Sequence, residues 1–242
     1  GIVWLILICP DFNGTLMVIC EKYYSYDSAS VKQILASYNT RYSYSQLSKL
    51  RSIDNASPYT GNVYDDLRTI RVQSESILSR KYLKCDISHP KAIKITNQEL
   101  HRDVDIVTAG WYDNVNSIIN DQNITYRGIQ VYDKVANNRC AADYPFLSIE
   151  RINTKSVNTG GRLKRMIRFL KNIKADSKQK IDLSSFDINA ICYNIDIDAY
   201  KDLHYLYLVT IVFLQLHKIA YDESYANRIT SVDGKEYIFR GN

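Results

Sequence analysis

The spacing of apolar residues changes period along this chain, and that change limits the fold more than any other feature. Up to residue 132 the apolar residues fall mostly into short runs rich in β-branched and aromatic types. The runs at 2–8, 16–20, 92–95, 104–109 and 128–132 read as strands. Pro10-Asp11-Phe12-Asn13-Gly14 supplies turn chemistry between the first two, and Asn97-Gln98-Glu99 between the next two, which makes an antiparallel pair. A short helix is expected near 30–37. An amphipathic helix is expected at 63–82, where Val63, Leu67, Ile70, Ile77 and Leu78 recur near helical spacing. Asp65 and Asp66 sit at its electropositive end.

The character shifts near Asn158. Past Gly160-Gly161 a helix is expected at 162–174, with Leu163, Met166, Ile167, Leu170 and Ile173 on one face. Lys164, Arg165, Arg168, Lys171 and Lys174 occupy the rest. Ser184 is an N-cap residue with Asp187 in the first turn of another helix. A long apolar helix is expected at 199–220, read as core, and a hairpin at 229–239 around Asp233-Gly234. The expected class is α/β (α+β): a mixed β-sheet lobe at 1–157 packed on a helical lobe at 158–242. A cleft between such lobes is a common ligand site.

Several function classes drop out. There is no GxxxxGK[ST] loop, no GxGxxG after a strand and no GxSxG elbow. The five cysteines are scattered without CxxC spacing, and the four histidines form no HExxH, so zinc sites and a disulfide framework are not indicated. Reduced thiols and a cytoplasmic location are the expectation. The apolar runs at 2–9 and 205–216 fall short of the roughly 20 residues of a spanning helix. A formal charge of +5 suits an anionic ligand such as nucleotide phosphate or RNA, without distinguishing it from a charge carried for solubility.

Three local patterns carry chemistry. Asp103 and Asp105 alternate along a strand, so they share a face where paired carboxylates can hold Mg²⁺ against phosphate; two solvated acids are the alternative. Lys164 and its basic neighbours follow Gly160-Gly161 near a helix start, a place for phosphate or a solvated helix face. Ser185 and Phe186 open another helix, where a hydroxyl and a ring suit a nucleotide, or an N-cap and a core aromatic.

Their order resembles a known family. Ser88-His-Pro-Lys-Ala-Ile-Lys-Ile95, Arg102-Asp-Val-Asp-Ile-Val107 with Trp111-Tyr-Asp113, Gly128-Ile129 and Asp143-Tyr-Pro145 follow one another. Asn153-Thr-Lys155 with Thr159, Leu163-Lys-Arg-Met-Ile-Arg-Phe-Leu-Lys-Asn172 and Ser184-Ser-Phe186 complete the series. Together they resemble the cGAS/DncV-like nucleotidyltransferases, relatives of oligoadenylate synthase. The resemblance implies a nucleotidyltransferase fold and synthesis of a cyclic or short linear oligonucleotide signal from nucleoside triphosphates, often in antiviral defence. It implies Mg²⁺, with Mn²⁺ as a substitute, and admits an RNA or protein activator. Asp105 matches the third metal-binding carboxylate, Lys164 the phosphate-contacting lysine, Ser185 a phosphate-binding serine and Phe186 the base-stacking aromatic.

The family's Gly-Ser turn and Asp-x-Asp motif are not recognisable. Counting back in register from 16–20 puts Asn13 and Thr15 at the two aspartate positions. A shift of two residues offers Asp11 and Asn13 instead, giving Asp105, Asp11 and Asn13 as metal ligands. Asparagine keeps an oxygen but loses the charge, so the alternative is a nucleotidyltransferase-like chain that binds nucleotide or RNA without turnover.

Overall fold

The computed structural model describes residues 4–8, 15–37, 41–56, 61–97 and 102–240. They divide into two compact units, Gly1–Phe146 and Leu147–Asn242. This division comes before the expected one at 157/158. Pro145–Asn158, a stretch with no element expected, is one continuous helix, and its Ile152 joins the helical unit's core.

The first unit is built on a mixed sheet, and the α+β class is as expected. Strands β1 (Trp4–Ile8) and β2 (Thr15–Tyr26) are antiparallel. β2 runs parallel to the long β5 (Arg102–Asp113). The other edge of β5 is shared: β4 (Ile93–Asn97) pairs antiparallel with its first half and β6 (Gly128–Asp133) with its second. The short β3 (Cys85–Asp86) and β7 (Asn138–Arg139) extend β4 and β6. Helices α1 (Ser28–Ala36), α2 (Tyr44–Asn55), α3 (Val63–Lys81) and α4 (Val115–Ile119) belong to this unit. α2 falls where no element was assigned, although Ser43 and Gln46 form a capping box that the sequence spells out.

Alternation in the strands explains how the sheet is covered. Leu16 and Val18 of β2, Ile93 and Ile95 of β4, and Val104 and Ile106 of β5 pack in one cluster with Leu78 and Tyr82, at the end of α3. The odd-numbered positions of β5 therefore face the other way. α3 is also tied down by charge. Arg71 is only 1% exposed, and its Nε donates to Glu75 Oε1 at 2.8 Å. One Nη donates to the carbonyls of His89 and Ala92 at 2.8 and 2.9 Å. Lys134 Nζ reaches the same Glu75 at 3.1 Å, and its backbone N–H donates to Pro90 O. The network clamps the turn before β4, and so sets where β4 meets β5. Arg71→Met leaves two part-buried carbonyls without this donor but keeps the Lys134–Glu75 pair. A loss of about 2–3 kcal/mol is expected, read as a fall in the urea midpoint at unchanged m-value.

The second unit is helical: α5 (Pro145–Asn158), α6 (Arg162–Asp176), α7 (Ser185–Tyr193), α8 (Leu208–Tyr221) and α9 (Glu223–Ala226). Gly160 and Gly161 take positive φ of 55° and 83°, the left-handed turn that separates α5 from α6. Leu163, Met166, Ile167 and Leu170 of α6 are buried as expected, in a core with Ile188, Ile191, Tyr200, Leu208 and Val212. Ile173 is not buried.

Two further expectations are corrected here. The apolar stretch 199–220 is not one core helix but two 3₁₀ turns, Ile197–Ala199 and Tyr205–Tyr207, followed by α8. Leu206, Val209, Phe213 and Leu214 stay exposed, because α8 turns only one narrow face to the core. Residues 229–239 form a single bridge, Thr230–Tyr237, around the expected turn at Gly234, rather than two paired strands. Among the described residues no helix is long and apolar enough to cross a membrane.

Candidate functional site

In the sheet unit, Asp105 lies on the face opposite α3. Parallel pairing sets it beside Thr15 of β2, and antiparallel pairing sets it beside Lys94 of β4. The two aspartates of this strand are not equivalent. Asp103 is engaged: Lys94 Nζ lies 2.9 Å from Oδ2 and Thr96 Oγ1 donates to Oδ1 at 2.8 Å. These hydrogen bonds, that from Lys94 foremost, hold its carboxyl below the usual range. The same bond raises the Lys94 ammonium, with Asp105 a smaller contributor through space. Asp105 makes no hydrogen bond or ion pair among the described residues, and is half-buried. The pair that alternation puts on one face thus splits into a structural carboxylate and an uncommitted one.

A second carboxylate at the end of β5 orders the strand's exit. Asp113 is fully buried and accepts from Ser117 Oγ at 2.7 Å and Gln122 Nε2 at 2.9 Å. Arg127 grips it with two bonds of 3.0 Å while its guanidinium lies 4.2 Å from the Trp111 ring. This Trp111–Asp113 stretch was noticed only as part of a resemblance. Its charge pairing comes from residues too far along the chain for any local pattern to show.

Asp11 and Asn13, proposed as metal ligands, lie outside the described residues. The pairing of β2 with β5 does bear on register, since the neighbour of Asp105 is Thr15, a hydroxyl. Among the described residues no three His, Cys, Asp or Glu side chains gather as a metal-binding set.

In the helical unit, Ser184 caps α7 as expected. Its hydroxyl accepts from Asp187 N–H at 3.1 Å, and the Asp187 carboxylate accepts from Ser184 N–H at 2.6 Å. The capping box commits these two N–H groups, and Ser185 and Phe186 follow it, both half-buried. Lys174 Nζ donates to Leu183 O, which fastens the last turn of α6 just ahead of that cap. Lys171 is one turn earlier. Burial pushes the Cys192 thiol of α7 up to about 12, and the Lys171 ammonium opposes that rise. Lys164 lies ten residues before Lys174, roughly 15 Å along the helix at 1.5 Å per residue. The resemblance singles out Lys164, and periodicity cannot say which lysine of a basic face meets the neighbouring helix.

A sheet unit with an uncommitted strand aspartate, followed by a helical unit with a basic helix against a Ser-Phe helix start, defines a nucleotidyltransferase fold. The C-terminal helical domain of the cGAS/DncV-like nucleotidyltransferases matches residues 150–242. A c-di-GMP synthase from a Lachnospiraceae bacterium is 44% identical over 229 residues, 93% of this chain and 65% of the relative. The structure of a STING-associated CdnE c-di-GMP synthase from Flavobacteriaceae sp. covers the whole chain at 37% identity and a TM-score of 0.82; the chain spans 70% of it. The corresponding structure from Capnocytophaga granulosa is 41% identical with a TM-score of 0.69, over 99% of this chain and 67% of that one. The chain belongs to the cGAS/DncV-like nucleotidyltransferase family. It spans just under two thirds of the length of the curated relatives it matches, 65% of the Lachnospiraceae protein.

Proposed function

We propose that this chain carries the nucleotidyltransferase and nucleotide-binding part of a cyclic dinucleotide synthase that uses GTP to make c-di-GMP. The observation that carries this reading is 44% identity over 93% of the chain to a c-di-GMP synthase. In each of the two transfers a ribose 3′-oxygen forms a bond to an α-phosphorus and pyrophosphate leaves. The 3′-hydroxyl proton passes to a base or to solvent.

The half-buried Asp105 carboxylate fits Mg²⁺, which is commonly held by one or two carboxylates together with substrate phosphates. When bound, that ion lowers the charge on the triphosphate and on the attacking oxygen. Asp103 takes no part, since Lys94 and Thr96 hold it. Its pairing with Lys94 keeps that ammonium from neutralising Asp105. Lys171 and the Ser185 hydroxyl contact phosphate, and Phe186 stacks on the base. An antiviral role and an RNA or protein activator belong to this proposal as the setting in which such a signal works.

Thr15 beside Asp105 favours a second reading, a chain that binds nucleotide without turnover. Incubation with each labelled nucleoside triphosphate, with Mg²⁺ and separately Mn²⁺, distinguishes the two. A phosphatase-resistant product from GTP supports synthesis. Triphosphate binding with no product under either metal favours the binding-only chain.

The lysines give a sharper test. Lys171→Ala is expected to weaken triphosphate binding by about tenfold or more, from loss of a charge-assisted contact. Lys164→Ala is expected to weaken it by less than about threefold, because roughly 15 Å of helix separates it from Lys174, which fastens to Leu183 ahead of the Ser185 turn. Equilibrium dialysis with labelled GTP measures both, and the reverse order would return the phosphate role to Lys164.

A further inference from the structure

The helical unit contains a cavity of about 330 Å³ between α6 and the start of α8, which the reading above does not use. Arg165, Arg168, Phe169 and Asn172 line one side, and Tyr205 and Val209 the other. The Arg165 guanidinium carbon lies 3.7 Å from the centre of the Tyr205 ring. That ring is held in place: its hydroxyl donates to Gly160 O at 3.3 Å, and Arg162 approaches it at 5.2 Å. Arg162 itself is committed to the carbonyls of Leu203 and Thr159. Arg165 and Arg168 are different. Neither meets a carboxylate among the described residues, and both are exposed. Phe169 and Tyr205 keep 36% and 40% of their surface open beside them.

Two uncompensated guanidiniums next to open aromatic rings select a particular chemistry. Guanidinium forks bind phosphate oxygens in pairs, and rings or guanidinium planes stack on flat bases. A bare anion would leave the rings wet, and a neutral ring would leave the charges unanswered. The volume lies at the lower end of small-ligand sites. We propose that this cavity is a second ligand site that takes a ring-bearing phosphate of about nucleoside monophosphate size.

It is separate from the turn at Ser185 and Phe186. Successive residues on a helix are about 100° apart, so Arg165, Phe169 and Asn172 form one stripe of α6 and Lys164 and Lys171 another, with Arg168 between the two. The Arg165 stripe and Arg168 line the cavity with Tyr205 and Val209, while the turn at Ser185 follows Leu183, whose carbonyl accepts from Lys174 at the last turn of α6.

The test is binding of AMP to the 242-residue chain by calorimetry, with adenosine and inorganic phosphate as partial probes, and with Arg165→Gln/Arg168→Gln, Tyr205→Leu and Phe186→Ala variants whose folding is checked by circular dichroism. Photolabelling with 8-azido-AMP locates the contact. Saturable AMP binding is expected, about tenfold or more tighter than either partial probe. It should fall by about tenfold or more in the double variant and in Tyr205→Leu, survive in Phe186→Ala, and label the peptide that contains Tyr205. Absence of AMP binding at millimolar concentration overturns the proposal. So does binding lost only in Phe186→Ala, or phosphate binding as tight as AMP. Product formation by the double variant, measured separately, reports on the synthase reading and not on this one.

Discussion

On the synthase activity proposed above, Asp105→Asn is expected to lower product formation from GTP by about 10²–10³-fold while leaving the fold intact. The carboxylate is half-buried, makes no bond within the described residues, and sits on the sheet face away from the α3 core. Its removal therefore costs no hydrogen bond or ion pair among the described residues. Asparagine keeps the shape and one oxygen but removes the charge that, in the proposed activity, attracts a divalent ion. Such an ion supplies several kcal/mol of transition-state stabilisation, and each 1.36 kcal/mol is a factor of ten in rate. The informative comparison is Asp103→Asn in the same assay. Asp103 has its own role with Lys94 and Thr96, so its loss should cost less than about tenfold in rate. Initial rates at saturating GTP and a thermal melt of each variant decide the matter. Equal losses in the two variants, without unfolding, would show that both acids serve the reaction.

Asp113→Ala is expected to destabilise the sheet unit by about 3–5 kcal/mol, a large share of a typical domain's stability. Asp113 is fully buried and accepts four hydrogen bonds, from Ser117, Gln122 and both ends of the Arg127 fork. Removing it leaves the Arg127 guanidinium largely buried without its counter-charge and takes the acceptor from the Gln122 amide, while the Ser117 hydroxyl keeps Asn114 O at 3.0 Å. The cation–π contact of Arg127 with Trp111 is the only partner that survives among those described. Such a loss exceeds that of removing both charges together. Asp113→Ala combined with Arg127→Leu should therefore recover part of the stability. Urea unfolding of the two single variants and the double measures the coupling. A double variant as unstable as the sum of the singles would sink this account.

Much of the element map was legible locally. The turn glycines at 160–161, the Ser184–Asp187 box and most of the apolar faces of α3 and α6 follow from short-range chemistry and are found where expected, with Ile77 and Ile173 the exposed exceptions. The misses share one cause. α8 is apolar enough to read as core, yet Val209 and Phe213 are exposed, because burial depends on which neighbours a face meets. The capping box at Ser43 was legible and was overlooked, since the polar, tyrosine-rich stretch around it offered no strong period.

The same division holds for the candidate site. Alternation alone placed Asp103 and Asp105 on one face, and the Ser-Phe start of α7 is a local signal. Nothing local could tell that Lys94 crosses to Asp103 and leaves Asp105 without an ion pair among the described residues, or that Lys174 fastens onto Leu183 ahead of α7. The sequence by itself determined the period of each element, its caps and its turns, because those depend on residues within a few positions of one another. Only the tertiary structure decided which charges are spent on partners and which stay available. Ion pairs form between strands and helices distant in sequence, and the energy of a buried charge depends on whatever else shares its low-dielectric surroundings.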